Sequence, residues 1–168
     1  MNSLFKILGS KTVLLKIPFG LKAPGTKQWQ NTSINEMTPA YLEELATGQY
    51  NIGVLQGKPS SGLCSIDIDH DEDVPAFLEL NPALRTSLRT RGARGANIWV
   101  RITGKHPKLT RLTNKQGAPW GEFRADGGQT VIWGKHPSGC NYSIVVEQPI
   151  VEIAFEDTHS GRASLSRW

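Results

Sequence analysis

Apolar residues in this chain come in short runs of five or six, separated by Gly- and Pro-containing turns. Residues 12–17, Thr-Val-Leu-Leu-Lys-Ile, are β-branched and apolar and predict a first strand. Residues 18–31 form a Gly/Pro-punctuated loop. Thr38 followed by Pro39 pairs an N-cap residue with proline at the first helical position. Gly48 supplies the stop, so a short helix is predicted over 40–46. Strands at 51–55 and 63–69 flank the turn Gly57-Lys58-Pro59-Ser60-Ser61-Gly62, and a helix over 74–80 follows. Further strands are predicted at 97–103, 120–124, 129–133 and 142–146. Few helices and many short strands imply an α+β fold, a mostly antiparallel sheet covered on one face by helices. With no repeats and no low-complexity linker, residues 1–156 read as one domain. Residues 157–168, rich in Ser, Gly and Arg, read as a frayed tail or the start of a linker.

The length of 168 residues suffices to bury a core. No segment approaches the ~18 apolar residues of a membrane span, and the apolar part of the N-terminus is too short for a signal peptide. Cys64 and Cys140 stand far apart without ligand spacing, which suits a reducing cytoplasm and disfavours a zinc site.

Net charge is only +4, but its distribution is uneven. Between positions 80 and 121 there is no acidic residue, yet Arg85, Arg89, Arg91, Arg94, Arg101, Lys105, Lys108, Arg111 and Lys115 all lie there. Asp67, Asp69, Asp71, Glu72 and Asp73 come just before. A basic block alone is as readily a solvated face. Beside a compact acidic cluster it fits an enzyme that handles polyanions, with cations on the acids and phosphates on the arginines.

Within Ser65-Ile66-Asp67-Ile68-Asp69 a strand sends Cys64, Ile66 and Ile68 to one face and Ser65, Asp67 and Asp69 to the other. Aspartate is a poor strand residue, and a divalent cation such as Mg²⁺ or Mn²⁺ explains two of them at i and i+2. The alternative is the start of a solvated turn. Glu122, in Trp120-Gly121-Glu122-Phe123-Arg124, is the candidate third ligand. It shares a strand face with Arg124, so the two either pair with each other or serve a metal and a phosphate of one nucleotide.

Glycines 92 and 95 let the backbone of residues 90–97 approach closely, and Arg91 and Arg94 can fork onto phosphate oxygens. The segment is equally a plain tight turn, and it lacks the Gly-Lys-Ser/Thr ending of a P-loop. Asp126-Gly127-Gly128 predicts a hairpin turn. Residues 134–139 close the same hairpin region, where His136 is either an exposed loop residue or a donor to phosphate or ribose beside Lys135. No nucleophile motif for acyl transfer is present.

In this order the motifs resemble the bifunctional primase-polymerase domain of the archaeo-eukaryotic primase superfamily, found in plasmid and phage replication proteins. The resemblance runs from about Ile17 to Tyr142. It takes in Ile17-Pro18 through Lys22-Ala23-Pro24 to Trp29, and Asn51-Ile52-Gly53-Val54 leading to Asp67-Ile68-Asp69. It continues through the Gly- and Arg-rich segment 91–100, Glu122, and Gly127-Gly128 through His136-Pro137-Ser138-Gly139 to Tyr142.

The resemblance implies a core similar to an RNA-recognition-motif sheet. It implies Asp67, Asp69 and Glu122 as catalytic ligands of two Mg²⁺ or Mn²⁺ ions, one at the primer 3′-hydroxyl and one at the leaving pyrophosphate. Arg94, Asn97, Arg124, Lys135 and His136 would bind the nucleotide, and Lys22, Arg91 and Arg101 the DNA. Asn97 departs from the family pattern, which has histidine there. Asparagine keeps a donor but carries no charge. Expected partners are a single-stranded DNA template, nucleoside triphosphates and a replicative helicase in cis or trans, in the host cytoplasm or nucleoid. A different class of function on the same fold is a noncatalytic nucleic-acid or nucleotide-binding module. A phosphodiesterase or relaxase-like initiator would need a nucleophilic Tyr or a His pair, and no convincing set is present.

Overall fold

The structure, a computed structural model, describes residues 1–113 and 117–158. Lys115 of the basic block and residues 159–168 of the expected tail lie outside the described residues. Among the described residues there are three α-helices and ten strands, an α+β fold as the patterning implies. Also among them, no helix is long and apolar enough to cross a membrane.

Helix α1 (Asn2–Leu8) is not among the elements the patterning predicts; it buries Leu4 and Leu8, one turn apart. Thr12 closes this helix by donating from Oγ1 to the carbonyls of Leu8 (3.0 Å) and Gly9 (2.8 Å). Strand β1 (Leu14–Pro18) therefore starts later than the apolar run does. Helix α2 (Pro39–Thr47) begins as predicted: the Tyr41 N–H donates to Thr38 Oγ1, and Pro39 takes the first turn. Strands β2 (Tyr50–Leu55) and β3 (Leu63–Ile68), then helix α3 (Asp73–Leu80), follow closely the predicted boundaries. Next come β4 (Arg89–Arg91), β5 (Ala96–Thr103), β6 (Thr110–Thr113), β7 (Pro119–Arg124), β8 (Gln129–Trp133), β9 (Ser143–Val146) and β10 (Val151–Ala154).

The strands divide between two sheets. A small antiparallel sheet has the order β1-β2-β8, and a larger one runs β6-β7-β3-β5-β4-β9, with β10 parallel to β5. Strands β4 and β10 share one side of β5, end to end. Ser87 bridges the break, donating from Oγ to the Trp99 carbonyl (2.5 Å) and accepting from the Val151 N–H (3.0 Å).

The alternation along β3 holds. Cys64, Ile66 and Ile68 pack with Ile98, Val100, Phe123 and, from α3, Phe77. On the other face, Leu63 and Trp99 pack against Leu14, Ile52, Val54 and Ile132 of the small sheet and against α1 and α2. Ser65 Oγ and Thr130 Oγ1, 2.7 Å apart, tie the two sheets together. Helices thus do not cover one face alone: α3 takes one side, and the small sheet with α1 and α2 takes part of the other. The physical reason is that Leu63 and Trp99 make that second face apolar at one end, where it must be covered.

The turn at Asp126-Gly127 also differs from expectation. It is a tight turn, with the Gly128 N–H donating to the Ala125 carbonyl (2.8 Å). It carries the chain from β7 in one sheet to β8 in the other, so it closes no hairpin. Asp126 explains the detour: its Oδ1 accepts from the Lys58 N–H (2.7 Å), which pins the turn to the 57–62 turn. Strand β6 escaped the patterning because only Leu112 of its four residues is buried, and β4 because it is three residues long with polar ends.

Two expectations test this packing. Gly121 sits where β7 meets β3, and a β-carbon there would lie 2.1 Å from the Asp67 carbonyl oxygen. Gly121→Ala should destabilise the fold by about 1–3 kcal/mol, seen as a lower urea midpoint with an unchanged m-value. Burial pushes the Cys64 thiol up to about 12, while Cys140 is exposed. A disulfide-exchange dye at pH 8 should therefore titrate one thiol in the native protein and two in denaturant, because only thiolate reacts.

Candidate active site

Strand β3 is central in the larger sheet, and register decides what stands beside its acids. Asp67 lies opposite Asn97 on β5 and opposite Glu122 on β7. Directly paired residues on antiparallel strands project to the same face with β-carbons about 4.5–5.5 Å apart. Asn97, Asp67 and Glu122 therefore form one row across three strands. One row further along, Ser65 pairs with Arg124, which faces the same way.

The apolar cover from the small sheet stops short of this row. A cavity of about 510 Å³ opens there, with Asp67, Asp69, Asn97 and Glu122 among its lining residues. Basic groups line it as well: Lys22, Arg94, Arg124 and His136. Separate segments of the chain, distant in sequence, thus bring most of the expected residues to one place.

Asp67 is largely buried. Burial pushes its carboxyl above the usual carboxylate range; Arg124 pulls it back, while Asp69 and Glu122 push it up further. Arg124 is the group that answers this charge. Its Nη2 donates to Asp67 Oδ2 (2.5 Å), its Nε to Glu122 Oε2 (3.2 Å) and its Nη1 to the Gln129 carbonyl (3.4 Å). Of the two pairings open for Glu122 and Arg124, this structure holds the ion pair. Among the described residues no group of three or more His, Cys, Asp or Glu side chains is arranged to hold a metal ion. The guanidinium stands between two of the candidates.

The donor set nonetheless fits a hard divalent cation. Asp67 and Glu122 face each other from adjacent strands, Asp69 lines the same cavity, and every donor is a carboxylate oxygen. Asn97 adds a buried Oδ1 with no protein partner.

The glycine- and arginine-rich turn is held by a residue the sequence does not single out. Asp71 Oδ1 accepts from Arg91 Nη2 (3.0 Å) and from the Gly95 N–H (3.0 Å). Gly95 has φ +62°, and a β-carbon there would fall 1.8 Å from the Ile68 carbonyl oxygen. This contact brings the turn against the end of β3 and leaves Arg94 at the cavity.

His136 lies in the β8–β9 connection. The Ser138 N–H donates to its Nδ1 (3.0 Å), so that nitrogen keeps its lone pair and the neutral ring carries its proton on Nε2. Partial burial, with the charge of Lys22, holds the imidazole below its ordinary pKa. The ring meets Tyr142 edge to face at 5.5 Å, and Tyr142 also lines the cavity.

Three expected residues stand apart from the cavity lining. Arg91 is paired to Asp71. Lys135 is exposed, and its backbone is bonded on both sides to the Asn51 amide. Arg101 is on the same sheet face as Asn97 but two rows farther along, opposite Leu63, where its guanidinium donates to the carbonyls of Leu8, Ser60 and Ser61. These bonds fasten α1 and the 57–62 turn to β5, which is a structural role. Gln129 was missed in turn. Its Nε2 donates to the Lys22 carbonyl (2.5 Å), so it holds the 18–31 loop at the cavity. No local signal marks a contact across that much chain.

Residues 10–155 match the family model described as bifunctional DNA primase/polymerase, N-terminal. No curated protein matches the chain. The family match begins ahead of β1, ends just past β10 and includes every residue that lines the cavity; this chain belongs to the bifunctional DNA primase/polymerase family.

Proposed function

We propose that this domain joins nucleotides on a single-stranded DNA template by metal-dependent nucleotidyl transfer, in the replication system of a plasmid or phage. The observation that carries this reading is the row Asn97–Asp67–Glu122, with Asp69, in a cavity that also presents Arg94, Lys22 and His136. At about 510 Å³ the cavity lies within the usual range for small-molecule sites, and it combines acids for cations with bases for phosphates.

Asp67, Asp69 and Glu122 would hold Mg²⁺ or Mn²⁺. Cations there supply charge neutralisation at the attacking 3′-oxygen and the departing pyrophosphate. The remaining steps belong to the chain itself. Arg94 and Arg124 fork onto phosphate oxygens, where a planar guanidinium matches the anion bidentately. His136 offers Nε2–H as a neutral donor to a phosphate or a ribose hydroxyl, and Lys22 adds charge from the 18–31 loop. Asn97 donates from its amide, weaker than a cationic imidazole would be. Lys135, exposed beside His136, and Arg91, at the rim of the glycine-rich turn, remain within reach of a bound strand. A helicase, in cis or in trans, would expose the template.

Asn97 favours one other reading, a domain that binds nucleotide and DNA without turnover. One assay separates the two: labelled nucleotides, primed and unprimed templates, and Mg²⁺ or Mn²⁺. Extension is the expected outcome, and a salt-sensitive gel shift without incorporation would instead identify the binding module. Asp67→Ala and Asp69→Ala should each lower incorporation by more than the roughly 100-fold that loss of a supporting contact costs at a metal site. Their circular dichroism should stay near wild type, showing that the fold is kept. Incorporation at the wild-type rate in either variant would remove these residues from the mechanism.

A further inference from the structure

Arg124 occupies the space that a cation bridging Asp67 and Glu122 would need. It is bonded to both carboxylates through different nitrogens, with only 24% of its side chain exposed, against 18% for Asp67 and 33% for Glu122. A guanidinium does not lose its proton in a protein, so this positive charge is permanent. It bonds one oxygen of each carboxylate, Asp67 Oδ2 and Glu122 Oε2, and the two residues are paired directly across β3 and β7.

Resting on the metal-dependent reading above, we propose that Arg124 is a built-in counter-cation that competes with divalent metal for Asp67 and Glu122 and yields its place when a triphosphate enters the cavity. The competition follows from geometry and charge. A divalent ion on those oxygens would lie against a guanidinium of the same sign, so one of the two must leave. Arg124 cannot leave into an empty, partly buried cavity without losing its carboxylate partners Asp67 and Glu122. A triphosphate gives it new oxygens to fork onto, beside Arg94, Lys22 and His136. Metal and nucleotide then favour each other's binding, since each relieves a cost the other would face alone. The consequence is a site that loads its cations together with the nucleotide and stays closed to them otherwise.

Manganese binding to the nucleotide-free protein tests this, read by the electron paramagnetic resonance of free Mn²⁺. Arg124→Gln should bind Mn²⁺ about tenfold more tightly than wild type, within the usual range of coupling between sites. Arg124→Lys, which keeps the charge but cannot fork onto two acids, should fall between them and guards against a fold defect in the glutamine variant. Mn²⁺ should also raise the melting temperature of Arg124→Gln more than that of wild type. With a non-hydrolysable deoxynucleoside triphosphate present, wild-type Mn²⁺ affinity should rise toward that of the variant. Adding Asp67→Asn to either background should abolish the tight binding.

Equal Mn²⁺ affinity in wild type and Arg124→Gln, with both dependent on Asp67, would overturn the competition and leave the metal site standing. A full affinity gap persisting with the triphosphate present would overturn the release step. Absence of any Asp67-dependent Mn²⁺ binding in all proteins would overturn both this inference and the metal-dependent reading.

Discussion

The side chain of Asp67 stands on the central strand of a seven-stranded sheet, largely out of water, and its charge must be answered from within the protein. Arg124 supplies that answer, and much of the surrounding structure serves to put it there. Gly121 lets β7 close onto β3, Glu122 shares the guanidinium, and the Gln129 carbonyl receives its third bond. Removing the arginine would leave two carboxylates facing each other across adjacent strands, a repulsive arrangement unless another cation takes its place. The same arrangement that stabilises the free protein is therefore the one that a divalent cation would have to replace.

The cavity exists because the two sheets cover each other incompletely. Leu63, Trp99 and their partners bring the sheets together at one end, and the Ser65–Thr130 hydrogen bond marks where that contact runs out. Beyond it the β3 face turns polar. Three loops arrive around the opening, each fastened by a specific bond. Asp71 holds the 91–95 turn, Gln129 holds the loop carrying Lys22, and Ser138 orients His136. Polar groups at the opening are thus positioned by contacts with backbone atoms.

The basic block, read as one feature in the sequence, separates into different roles. Arg101 and Arg85 bond backbone carbonyls, Arg91 pairs with Asp71, and Arg94 lines the cavity. A count of positive residues could not make that division, because it depends on which carbonyls and carboxylates each side chain meets. The structural arginines give the fold several donors held in a fixed plane, and the cavity arginines present the same donor set to the opening.

Local patterning was enough to place helix α2 through its Thr38-Pro39 start, strands β2, β3, β5, β7 and β8 within a few residues, and the two faces of β3. It also singled out Asp67, Asp69 and Glu122, because carboxylates at alternate strand positions conflict with strand propensity and so draw notice. Elements with no such contrast went unseen. Exposed β6, three-residue β4, and β10, which pairs in parallel with a strand about 50 residues away, carry little periodic signal. The split into two sheets and the ion pair of Arg124 with Asp67 were decided only in three dimensions. Alternation along a strand tells which face a side chain takes, but the register between strands distant in sequence determines which side chain it meets there.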